Sequence, residues 1–134
     1  MLDTSVLVDL ARGDPRPSAL VAGLAAGSEL WSVTVVRAEL IAGARPEDGP
    51  SVRRILDDLR WLAVDEPLAD LAGRMAAHYS PTHPGVGLAD YLIAAGTRLL
   101  GAQLLTLNVR HFPMLTGLQA AYESLPAGKR RAGG

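Results

Sequence analysis

Three carboxylates, Asp3, Glu39 and Asp90, stand where an acid is either a structural cap or a chemical group. Asp3 follows the apolar Met1-Leu2 and precedes Thr4-Ser5. That is a strand-to-helix junction, where an aspartate accepts a backbone N–H as an N-cap or stands free for chemistry. Glu39 has Val35, Val36, Leu40 and Gly43 around it on a helical surface, so it lies on or beside an apolar stripe. Such a carboxylate is either solvated beside Arg37 or half buried, and half burial is costly without a cation. Asp90 opens a segment with no other charge until Arg98 and shares one face with Ile93, Ala94 and Thr97. It either complements the helix dipole or leaves room for an ion and its waters.

Asn108 adds a neutral oxygen after a late apolar run, and His111 reads as a loop histidine. His78 and His83 lack zinc-motif spacing. With no cysteine, thiolate chemistry, disulfides and cysteine-held zinc or iron–sulfur centres are excluded. What is left is a hard oxygen set, suited to Mg2+ or Mn2+ held by a few carboxylates, waters and substrate phosphate.

The elements that must position these groups alternate. Leu2-Asp3 ends a very short first strand and Thr4–Ala11 is a helical turn or two. Pro17–Ala26 is a short helix, Glu29–Val33 a strand, and Ser32 or Thr34 caps a helix running to about Ala44. After a loop at Pro46–Pro50, Ser51 caps Val52–Leu59, Trp61–Val64 is a third strand and Pro67 opens the amphipathic helix Leu68–Tyr79. Ser80–Gly87 is a loop, Leu88–Leu100 the strongest helix and Gln103–Leu107 a fourth strand. Asn108–Phe112 is a turn or helix, and Leu118–Tyr122 is a last strand or a helix.

Strands separated by helices imply right-handed crossovers and a mainly parallel sheet covered on both faces. Sites in such sheets lie beyond the carboxyl ends of the strands, which is where Asp3 and Asn108 fall. The 134 residues are expected to form one domain over 1–125 with a flexible basic tail at 126–134 that carries Lys129-Arg130-Arg131. A net charge of −1 gives no broad basic face for nucleic acid, though a bound cation can attract phosphate. Neither a membrane span nor a signal peptide is expected, so a cytoplasmic location is.

The words around the acids are more specific than the acids. LDTSVLVDL at Leu2–Leu10, VVRAELIAGA at Val35–Ala44, GLADYLIAAGT at Gly87–Thr97 and LLTLNVRHFPML at Leu104–Leu115 occur in that order. Together, over about residues 2–123, they resemble the PIN domain family, and within it the VapC-type toxin ribonucleases of bacterial toxin–antitoxin pairs. The resemblance implies a three-layer α/β/α sandwich with a mainly parallel five-stranded sheet and a pocket binding Mg2+ or Mn2+. It assigns Asp3, Glu39 and Asp90 as catalytic and metal-binding acids, with Asn108 as a further metal ligand where the family often has aspartate. Metal-dependent hydrolysis of RNA, a cognate antitoxin and a homodimer are implied as well.

Arg37, Arg45 and Arg110 flank these motifs and are candidate phosphate contacts. Two other readings compete. A catalytically weakened module that only binds RNA or antitoxin is suggested by Asn108. An aspartate-nucleophile phosphatase is suggested by Asp3, although its common second aspartate is Ser5 here.

Overall fold

The structure, a computed structural model, describes residues 1–123. The basic tail expected at 126–134 lies outside the described residues. Asp3 caps α1 (Thr4–Ala11), whose Val6, Leu7 and Ala11 are buried. α2 (Pro15–Ala25) starts two residues earlier than the sequence pattern predicts, because the Asp14 side chain accepts the Arg16 N–H and Pro15 fits the first turn. β1 (Trp31–Val33) runs straight into α3 (Thr34–Gly43), whose N-cap is Val33 and has no side-chain cap. A 3-10 turn (Pro46–Asp48) leads into α4 (Gly49–Asp58), so that helix also begins ahead of the expected Ser51 cap.

β2 (Arg60–Leu62) is followed by α5 (Glu66–Tyr79), with the Asp65 carboxylate accepting the Leu68 N–H. α6 (Leu88–Leu99) is the central helix, burying Tyr91, Ile93, Ala94, Ala95, Gly96 and Thr97. A 3-10 turn at Val109–His111 follows the last extended segment. α1 packs on α2, α3 and α4, while α6 packs on α5, α3 and β1. Gly96 permits that last approach: a Cβ there would lie 2.9 Å from Val33 Cγ2 and 3.1 Å from Leu62 Cδ2. No helix among the described residues is long and apolar enough to cross a membrane.

The sheet differs from the five strands expected. Among the described residues only β1 and β2 form a ladder, parallel, with Trp31 opposite Arg60 and Val33 opposite Leu62. Leu2 and Leu105 meet in one isolated parallel bridge. Backbone hydrogen bonds extend the order: Leu2 N–H donates to Trp31 O (2.8 Å), Asp3 N–H to Leu105 O (3.0 Å) and Leu105 N–H to Met1 O (2.8 Å). Ala121 N–H donates to Thr106 O (2.9 Å), so the expected last element is an irregular segment rather than a strand or helix.

Local competition for donors explains the short ladders. The chain turns helical directly after Asp3, leaving the first segment two extended residues. Beyond Thr106 the N–H groups of Leu107 and Asn108 donate to Ser5 Oγ (3.1 Å) and Thr106 Oγ1 (3.0 Å), not to a neighbouring strand.

The core runs through Leu2, Val6, Leu7, Val33, Val36, Leu40, Leu68, Tyr91, Ile93 and Phe112. Tyr122 ties the last described residues down, donating from its hydroxyl to Asp9 Oδ2 (2.8 Å) beneath the Arg16 guanidinium.

Candidate active site

Asp3 is only 4% exposed, yet no arginine or lysine among the described residues pairs with it. Hydrogen bonds hold it instead. Oδ1 accepts the Thr4 N–H at 2.7 Å, the N-cap bond foreseen from sequence. Oδ2 accepts the Thr106 hydroxyl at 2.6 Å and the Ser5 hydroxyl at 3.1 Å. Capping and clustering are therefore both true of this residue: its position starts α1, and its second oxygen is clamped from the neighbouring segment.

Asp90, in the first turn of α6, has a side chain 19% exposed. Its Oδ2 accepts the Gly87 N–H at 3.1 Å and lies 3.3 Å from His111 Nδ1. Burial pushes the Asp90 carboxyl above the ordinary aspartate value, and the nearby charge of Asp3 pushes it further. The Gly87 N–H and His111 oppose that rise without cancelling it.

Glu39 is exposed rather than half buried, because α3 turns Val36 and Leu40 to the core. Its Oε1 accepts the Thr4 hydroxyl at 2.9 Å, which links it to the residue next to Asp3. Asn108 is also exposed; its N–H is held by Thr106 and its carbonyl accepts the His111 N–H at 2.9 Å. Among the described residues no three acid or histidine groups gather tightly enough to enclose one ion. Asp90 lies near enough to Asp3 to feel its charge, and Glu39 reaches the residue next to Asp3 through Thr4.

That pair suits a divalent cation that keeps most of its shell as water. Two carboxylates with no arginine or lysine between them repel each other, and Mg2+-type sites commonly take one or two carboxylates from the protein.

Two of the candidate phosphate contacts are engaged elsewhere. Arg37 lies over the Trp61 ring (5.2 Å) and donates to Leu56 O, and Arg45 pairs with Asp48 at 2.8 Å. Arg110 is exposed, one residue before His111.

Residue-by-residue reading of the sequence missed Ser5 and Thr106 as holders of Asp3, and His111 as a partner of Asp90. The available signal was short: a hydroxyl two residues after the first acid, and a threonine two residues before Asn108.

The PIN domain family model matches residues 1–114. Ribonuclease VapC19 of Mycobacterium tuberculosis is 40% identical over 123 residues, covering 91% of this chain and 98% of that protein. Ribonuclease VapC10 of the same organism is 35% identical over 132 residues, covering 98% of each. Among solved structures, a toxin–antitoxin complex from Klebsiella pneumoniae superposes with a TM-score of 0.73 at 22% identity, over 92% of this chain and 98% of that one.

Proposed function

The chain belongs to the PIN domain family, and we propose from that membership that it is a metal-dependent ribonuclease, the toxin of a toxin–antitoxin pair. The observation that carries the reading is Asp3 and Asp90, one carboxylate buried and one half-buried, the second feeling the charge of the first, and neither paired with an arginine or lysine among the described residues. The sandwich's outer layers would be the α1–α4 group and the α5–α6 pair on either side of the extended segments.

Asp3 and Asp90 would hold the ion, with Glu39 and Asn108 as further oxygen donors. When bound, Mg2+ or Mn2+ supplies polarisation of the scissile phosphate and activation of water. The protein's own task is orientation. Thr106 and Ser5 fix Asp3 Oδ2, while Gly87 and His111 fix Asp90 Oδ2. Thr4 fixes Glu39 Oε1 and leaves Oε2 without a partner among the described residues, as the oxygen that orients the attacking water. Arg110 is the arginine for phosphate. A nucleophilic role for Asp3 is disfavoured, because the second aspartate of that chemistry is Ser5 here, whose hydroxyl only donates to Asp3 Oδ2.

One structural neighbour is a toxin–antitoxin complex. By the same membership this chain would form a homodimer and be neutralised by a cognate antitoxin covering the acid pair.

The test is cleavage of total RNA by the purified chain with Mg2+ or Mn2+, alongside Asp3→Asn and Asp90→Asn. Ion-dependent cleavage lost in both variants is the expected result. Cleavage that persists in both, or that never appears with either ion, would overturn the reading. RNA binding without cleavage would leave the weakened binding module in its place.

A further inference from the structure

The last extended segment is a sheet edge with unused hydrogen-bonding groups. Leu105 faces the first segment: its N–H donates to Met1 O and its carbonyl accepts the Asp3 N–H. Adjacent residues of an extended chain turn their N–H and C=O groups to opposite sides, so Leu104 and Thr106 face away from Leu2. On that side one bond forms, from the Ala121 N–H to Thr106 O (2.9 Å). Among the described residues nothing pairs with the Leu104 N–H, the Leu104 carbonyl or the Thr106 N–H. Yet Leu104 is 3% exposed and Thr106 0%. Buried backbone N–H groups are nearly always paired, because an unpaired one loses its hydration with nothing in return.

Residues 118–120 do not fill this position. They follow a turn at Gly117 (φ 74°) and make no backbone hydrogen bond to Leu104. With Leu104 they enclose a cavity of about 770 Å3, and Leu20 of α2 and Thr97 and Arg98 of α6 complete its wall. That is the size of a ligand site, about 300–1,000 Å3. Its charge has one sign. Arg98 is the one charged residue on the wall, and it has no carboxylate partner among the described residues. It donates to Met114 O at 2.6 Å, which leaves most of the guanidinium's donors open.

We infer that this edge docks an extended acidic peptide of a partner protein, which adds as a strand beside Leu104 and sets a carboxylate on Arg98. The unused groups come in strand order (N–H and C=O of Leu104, then N–H of Thr106), and main-chain pairing of this kind supplies the affinity of strand addition. The single unpartnered cation supplies the preference for an acid. The edge is separate from the acids, and its docking role stands whether or not they hold an ion. It connects to them through Thr106, whose hydroxyl holds Asp3.

The test uses the full chain and two fluorescein-labelled, end-capped peptides, Thr-Val-Glu-Val-Thr and Thr-Val-Lys-Val-Thr. Without peptide, amide hydrogen exchange read by NMR should run at least about tenfold faster at Leu104 and Thr106 than at Leu105 and Asp3, whose N–H groups are bonded. The glutamate peptide should bind saturably by fluorescence anisotropy and slow exchange at Leu104 and Thr106 by about tenfold or more. The lysine peptide should bind about tenfold more weakly, and Arg98→Gln should remove that difference. Glutamine keeps a donor for Met114 O, and circular dichroism melts check that the variant folds. Four results would each overturn the proposal. Leu104 and Thr106 as protected as Leu105 in the free chain would mean that the edge is already closed. Protection that rises with protein concentration alone would give the edge to a second copy. Equal binding of the two peptides, or of neither, would remove the acidic partner. Binding that leaves exchange at Leu104 unchanged would place the peptide elsewhere.

Discussion

The hydroxyl of Thr106 donates a 2.6 Å hydrogen bond to Oδ2 of Asp3, joining the two ends of the described chain across 103 residues. Thr106 is fully buried, and the same oxygen accepts the Asn108 N–H. One hydroxyl thus orients the first acid and shapes the turn that carries Asn108 and His111.

Thr106→Val keeps the shape and removes that hydroxyl. Hydrogen bonds to charged groups contribute roughly 1.5–3 kcal/mol, and the Asn108 N–H would lose its acceptor as well. Chemical denaturation should show a loss of that order, and RNA cleavage should fall at least about tenfold with the metal site misaligned. Thr106→Ser should recover both. Full activity in the valine variant would show that Asp3 needs no such support.

Asp90 gives a pH dependence of defined sign. Its carboxyl value is raised in the folded chain, first by burial and then by Asp3, so the native state holds the proton more tightly than the unfolded one. Below the ordinary 3.8 the group is protonated in both states and costs nothing. As pH climbs through the raised native value, ionisation beside Asp3 removes stability. In metal-free buffer Asp90→Asn should therefore melt above the wild type at neutral pH, with the difference shrinking toward acid, while cleavage is lost. A variant that melts lower at neutral pH would contradict this sign.

Arg110 and Arg37 should separate cleanly. Arg110→Ala is expected to weaken RNA binding and to lower the slope of log affinity against log salt by about one phosphate contact, without changing the melting temperature. Arg37→Ala should leave that slope alone and destabilise the chain instead, because its guanidinium covers Trp61. Salt-dependent binding titrations with a short RNA distinguish the two. Equal slopes for all three proteins would remove Arg110 from the phosphate path.

Gly96 is a packing test remote from the chemistry. A side chain there enters the contact with Val33 and Leu62, both tied to strands. Gly96→Val should cost about 1–3 kcal/mol or more as overpacking, read as a lower denaturation midpoint. A midpoint at or above the wild type would show that α6 can move away from β1.

Much of this protein was legible in its sequence. The three acids, the amide at 108 and the helices α1, α3, α5 and α6 are carried by local words and periodicity, because a helix records its buried face in the spacing of a single segment. Its edges were less legible at α2, where Asp14 and Pro15 move the start two residues toward the N-terminus, and at α4, where a start with Pro50 in the first turn moves it three. The sheet was over-read: apolar runs name extended segments, but ladder length depends on which partner takes each N–H, and Ser5 and Thr106 take two of them.

Only the tertiary structure decided the environment of each acid. Asp3 is buried and clamped, Asp90 has its carboxyl pushed up by burial and by Asp3 and is touched by His111, and Glu39 is turned outward and reached through Thr4. Those relations join residues 21 to 103 positions apart. Nothing in a local pattern encodes such a distance. Side-chain chemistry chose the groups, and the bridge of the first extended segment to the last, with α6 packed on β1 and α3, chose which of them meet.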